Sequence, residues 1–354
     1  MEKLNEATQK LILKYQNWHE RLQSKEGQTN INVDEVVSRV ASFYEKMRGV
    51  IDWREEHLLR RTAIERIFRR RLFLKKNGEN VAAPLVFELI RGGHFPNNSI
   101  PEVKIAEVQK LIDKYVFILE NAPAAPKEKI RLYDWLLGIA ACEIEEIMAP
   151  PLKEQALLEF MFESLLEKIQ IKLTEEEKST QLYIAIQRAL FKLDSPIISY
   201  HLLKKRYLEW FDLPQEKLTE LAKNIYSVWD KIEKELKYPF SEKLYKLAEQ
   251  YDTPYLILGD IIAQNPKDAP KELQDPQILE TKIKQTYKER LSKVKARMNR
   301  AAIYSTISIF VSKVLVALAI EIPFDKYVTQ QFSSTTLTLS ITIPPLLMFL
   351  LILS

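Results

Sequence analysis

The sequence predicts an all-α protein, a multi-helix bundle or irregular α-solenoid followed by a C-terminal membrane helix hairpin. Three observations carry this expectation. Apolar residues recur at steps of three and four along most of the chain, the period of an amphipathic helix. Only 7 of 354 residues are glycine, which disfavours a fold built from loops. A lysine- and arginine-rich stretch then runs into two apolar segments at the C-terminus.

Four breaks divide the chain. The expected parts are an N-terminal helical subdomain 1–121, a second one 128–264, a hinge 265–275, a basic amphipathic stalk 276–300 and a membrane hairpin 301–354. The first helix covers 3–24, with Leu4, Leu11, Tyr15, Trp18 and Leu22 at heptad-like, coiled-coil spacing. Residues 27–30 form a loop. Asn32 and Glu35 resemble a capping box for a helix reaching about Arg48.

The basic helix 54–76 follows, with nine Lys or Arg against three Glu. Ile64, Ile67, Phe68 and Leu72 share one face. Arg71 falls in the middle of it and Arg60 near it, so both are expected to be buried or to face a partner. Pro84 opens the next helix and Gly92–Gly93 closes it. The loop 91–102 is the candidate functional loop, because it joins two adjacent glycines to His94 and Phe95. Asn97-Asn98-Ser99 matches a glycosylation acceptor, idle in a cytoplasmic domain. Ile105, Val108, Ile112, Tyr115 and Leu119 face inward on the helix after it.

The stretch 121–128, NAPAAPKE, reads as a linker. A helix then ends at Ala149-Pro150-Pro151, and another runs from Leu152 to about Lys172. Thr174 and Glu177 form a capping box for a helix reaching Leu193. Asp194-Ser195-Pro196 starts one ending near Leu213. Residues 215–237 place Leu218, Leu221, Ile225, Val228, Ile232 and Leu236 on one face. Ser241 and Thr253-Pro254 are each expected to begin a shorter helix.

The stalk carries Lys282, Lys284, Lys288, Arg290, Lys293, Lys295, Arg297 and Arg300 against Glu280 and Glu289, a net of +6. These cations are the expected contacts to anionic lipid or a partner. Its apolar stripe is Leu279, Ile283, Tyr287, Leu291, Val294 and Met298. Ala301–Ile322 is long enough to span, at ~1.5 Å per residue, a hydrocarbon core. Lys313 and Glu321 are its intramembrane polar residues. Pro323 is expected to stop it. The second apolar segment, 337–353, is read as a kinked or re-entrant helix. Its alternative is a strand leading into a short helix, from the polar–apolar alternation of 336–343. No charged flank follows it, so the natural polypeptide is expected to continue.

The whole chain carries +4. With +6 in 54–76 and +6 in the stalk, the remainder is acidic at −8. By the positive-inside rule the large N-terminal part is cytoplasmic at a cell membrane, a bacterial inner membrane. Met1–Trp18 lacks the pattern of a signal peptide. One cysteine, Cys142, excludes an internal disulfide and a cysteine-rich metal site.

The phosphate-cradling glycine motifs, the serine elbow, and the helical zinc and di-iron patterns are all missing from the sequence. Glu143, Glu145 and Glu146 are expected on a solvated helix face. No catalytic residue, cofactor or metal is therefore expected. The function read from this is a non-catalytic, membrane-anchored cytoplasmic scaffold or adaptor. Its partners are the phospholipid membrane, a protein and a second copy of itself. A membrane-active or channel-like protein is the alternative, and a soluble nucleic-acid-binding protein the second, disfavoured one.

Overall fold

The computed structural model describes residues 4–23, 29–33, 53–74, 78–123, 125, 128–324, 327 and 334–353. Among them thirteen helices and no strand occur, with one isolated bridge between Asn30 and Pro101. The expected helix 32–48 lies mostly outside the described residues. The chain divides into two compact units, Met1–Asp275 and Pro276–Ser354.

In the first unit the helices are α1 Glu6–Gln23, α2 Trp53–Leu74, α3 Ala82–Arg91, α4 Val103–Asn121, α5 Lys129–Met148 and α6 Leu152–Leu166. They continue with α7 Glu175–Phe191, α8 Ser195–Arg206, α9 Gln215–Leu236, α10 Ser241–Gln264 and α11 Ala269–Gln274. A short 3-10 turn, Trp210–Asp212, joins α8 to α9. The chain alternates between two apolar cores. Helices α2–α5, α8 and α9 build one, around Ile64, Phe68, Leu89, Ile112 and Ile139. Helices α1, α6, α7, α10 and α11 build the other, around Tyr15, Met161 and Ile186. Both α4 and α5, on either side of 121–128, belong to the first core.

Local chemistry is clearest at the start of α7. The Thr174 hydroxyl accepts from the Glu177 N–H at 3.2 Å, and the Glu177 carboxylate accepts from the Thr174 N–H at 3.1 Å, closing the expected capping box. Three expectations need correction. Helix α6 stops at Leu166, six residues early, because 167–173 turn to present that cap. Helix α8 stops at Arg206, well before Leu213. Pro254 starts no new helix: α10 runs through it. Pro254 is exposed, so the carbonyl that loses its donor can turn to water.

In the second unit α12, Pro276–Val316, continues through a π-helical turn Ala317–Glu321 into Ile322–Phe324. Pro323 therefore does not stop the helix at 322. The wider turn just before it absorbs the missing N–H. Helix α13, Ser334–Leu353, carries Pro344 and Pro345 inside it and packs against α12. The strand alternative for 336–343 fails. The Thr342 hydroxyl donates to the Thr338 carbonyl at 2.8 Å, so a polar residue in the alternating run is satisfied within the helix.

Candidate functional site

Helix α12 reads differently at its two ends. Beyond residue 302 most of its large apolar side chains are exposed, among them Ile307, Phe310 and Leu315. Its most apolar 18-residue window has a mean hydropathy of 2.0 and is only 6 % buried. By length and composition Pro276–Phe324 can cross a membrane; α13 offers a shorter apolar run, Thr338–Leu347. The less exposed positions of α12 and the turn after it include Ile309, Lys313, Ala317 and Glu321, spaced by four, together with Ser305, Thr306 and Val314. On α13 they include Ser340, Ile341, Pro344 and Pro345. Lys313 and Glu321 thus share the packed stripe with Ala317, which is 1 % exposed.

The stalk half of α12 is exposed on one side and covered on the other, where Thr286 is 2 % exposed. Lys284, Lys288, Lys293, Lys295 and Arg300 are exposed, while Lys282, Arg290 and Arg297 are partly covered. The stripe residues Ile283, Tyr287, Leu291, Val294 and Met298 are exposed too, at 41–63 %.

In the first unit the strongest polar chemistry sits on α5, which is buried along most of its length. Here the expected solvated face is corrected, since Glu143 and Glu145 are 1 % and 3 % exposed. Steps of 100° send the three glutamates to different neighbours. Glu143 accepts from Lys114 Nζ at 2.7 Å, from the Tyr115 hydroxyl at 2.8 Å and from Trp210 Nε1 at 2.9 Å. Lys114 also donates to the Trp210 carbonyl at 3.0 Å and lies 4.6 Å from the Trp210 ring centre. Burial pushes the Lys114 ammonium below its usual range, and Glu143 opposes that shift.

Glu145 pairs with His57 Nδ1, with Arg60 Nη1 at 3.7 Å; burial pushes its carboxyl up. For Glu146 burial pushes the same way, but the Lys204 ammonium at 2.6 Å and the Gln155 amide at 3.0 Å hold it below the usual range. A cleft of about 350 Å³ opens beside Glu146, lined by Lys104, Glu107, Tyr200, Lys204 and Trp210. Its charges are already paired, Lys104 with Glu107 at 2.7 Å and Lys204 with Glu146. Cys142 is buried, and burial pushes its thiol up, the opposite of a reactive cysteine. Among the described residues no cluster of three His, Cys, Asp or Glu side chains is placed to hold a metal ion.

Several arginines of α2 find acidic partners, while Arg66 and Arg70 stay exposed. Arg71 Nη2 donates to Glu88 at 2.7 Å and to the Pro84 carbonyl at 3.1 Å. Arg60 pairs with Glu56 and lies 5.3 Å from the Phe95 ring centre. Arg61, not singled out from the sequence, is 7 % exposed and bonds Asp194 at 2.5 Å. Arg69 bonds Asp134, and Arg70 bonds Glu88.

The loop 91–102 is tied down structurally. Phe95 and Ile100 are buried at 2 %. The Ile31 N–H donates to the Ile100 carbonyl at 2.8 Å, and the Asn97 side chain bonds the backbone N–H and carbonyl of Val33, each at 3.0 Å. Gly93, at φ +70°, makes the turn, with His94 partly exposed beside it.

His201, on α8, shares Nδ1 with Gln187 Oε1 at 2.5 Å, and burial lowers its pKa to about 4 from 6.5. The unfolded chain therefore takes this proton at higher pH than the folded one. The contribution is complete above pH 6.5 and falls as pH drops towards 4, a loss of about 3 kcal/mol. Urea midpoints measured across pH 4–7 should show this decline, and His201→Gln should flatten it.

Comparison of the chain with protein-family models, with curated proteins and with solved structures gave no match.

Proposed function

We propose that the chain is a membrane-anchored, non-catalytic helical scaffold, its first unit held at the cytoplasmic face by α12 and α13 acting as a hairpin. One observation carries the reading. The apolar half of α12 is long enough to span and is 6 % buried over its most apolar window, whereas a core helix of a soluble protein would be mostly buried. The placement of Lys313 and Glu321 supports it, because polar residues inside a membrane turn towards neighbouring protein. The +6 stalk before the span supports the cytoplasmic side.

The paired arginines of α2 favour a structural role for that helix over a nucleic-acid surface. Four of them bond acidic side chains of other elements: Arg61, Arg69, Arg70 and Arg71.

Fractionation of cells expressing residues 1–354 and 1–300, with a carbonate wash, tests the reading. The long form is expected in the washed pellet and the short form in the supernatant. Both forms in the supernatant would refute anchoring.

A further inference from the structure

We propose that the stalk of α12 is a docking surface for an acidic amphipathic helix of a partner protein. The inference rests on the anchoring reading and deepens it. Its first basis is the unbroken helix. Pro276–Phe324 runs without interruption from the stalk into the apolar half. At ~1.5 Å per residue, the 25 stalk residues carry the chain roughly 37 Å beyond a spanning segment. A helix that crosses the bilayer without a break cannot also lay its stalk flat in the interface. The stripe of Ile283, Tyr287, Leu291, Val294 and Met298 is therefore held out of the bilayer.

The stripe has the dimensions of a helix-docking face. Its steps of four, four, three and four keep all five side chains within about 80° of one another at 100° per residue. All five are 41–63 % exposed. A contiguous apolar row with a charged border is the pattern of an interaction surface, not of scattered surface residues.

Charge selects the partner. On the same helical wheel Lys284, Lys288 and Lys295 border the open side of the stripe, Lys284 pairing with Glu280 at 2.5 Å, while Arg290 and Arg297 lie on the partly covered side beside buried Thr286. An occupant of the stripe meets exposed lysines along its open edge. A second copy would bring a net +6 against +6, held at the same height by its own anchor. Like charges in register disfavour that pairing. A helix with an apolar face and glutamate or aspartate at its edges satisfies both parts of the surface.

The test uses the full chain in neutral phosphatidylcholine nanodiscs. The probes are a labelled, designed amphipathic peptide with leucine at the matching steps and glutamate edges, and its twin with lysine edges. Fluorescence anisotropy is expected to show binding of the acidic peptide at least tenfold tighter than of the twin, weakening with added salt. Ile283→Ser with Leu291→Ser, both exposed positions, should weaken it tenfold or more while leaving the circular dichroism unchanged. Equal binding of the twins, or binding indifferent to the double variant, would overturn the proposal. So would a disulfide forming between copies of Tyr287→Cys, or an environment-sensitive label there shifting on phosphatidylglycerol discs and not on peptide; those results assign the stripe to self-association or to lipid. A chain that stays out of the discs ends the anchoring reading as well. One that enters them and ignores the acidic peptide ends only this inference.

Discussion

Glu143→Ala is expected to cost the first unit about 3–5 kcal/mol, the range for removing one partner of a buried ion pair. The carboxylate is 1 % exposed and holds three donors from two other parts of the fold. Its removal leaves Lys114, 7 % exposed, without its bonded carboxylate, beside the Trp210 carbonyl and the Trp210 and Tyr115 rings. It also leaves the Tyr115 hydroxyl and the Trp210 indole without their acceptor. At ~2–4 °C per kcal/mol for a unit of this size, the thermal midpoint should fall by roughly 10 °C. Glu143→Gln should cost less, because an amide oxygen still accepts from Tyr115 or Trp210. Adding Lys114→Met to Glu143→Gln should recover part of that loss, since no unpaired charge is then buried. If Glu143→Ala shifts the midpoint no more than the same change at exposed Glu128, the network carries no stability and this account of α5 is wrong.

The sequence hid this network for a physical reason. Periodicity reports which face of a helix is apolar, and it locates α9 through Leu218, Leu221, Ile225, Ile232 and Leu236, all buried. It is silent about which distant residue meets a polar one. Lys114 is 29 residues from Glu143, and Trp210 is 67 away. A signal was present nonetheless. From Leu136 to Met148 the only charged residues of α5 are Glu143, Glu145 and Glu146, and apolar residues lie on every side of the helix. Glutamates on a helix that is apolar all round have no solvated face to occupy.

Proline was misleading for the same kind of reason. Pro254 and Pro323 are local breakers, yet an exposed helix face and a π-turn absorb them. The capping box at Thr174 was legible because all its parts lie within four residues. For the candidate site, the apolar stretches of the C-terminal segments were legible as composition. The packed stripe through Lys313, Ala317 and Glu321 needed the antiparallel partner α13 to define it.

Charging the outward face of α12 is expected to release the chain from the membrane, whereas removing the charge already on the packed face is not. Phe310 and Leu315 are 47 % and 60 % exposed, on the side that would meet lipid. Each arginine placed there adds on the order of 3 kcal/mol to insertion near the centre of a span. Phe310→Arg with Leu315→Arg thus raises the cost by roughly 6 kcal/mol, so the carbonate-washed pellet should lose most of the protein. Lys313→Leu removes a cost of similar size and should leave the chain in the pellet. If the double arginine variant stays in the pellet as fully as the parent chain, α12 does not span, and its apolar half must be sought as an interface between proteins.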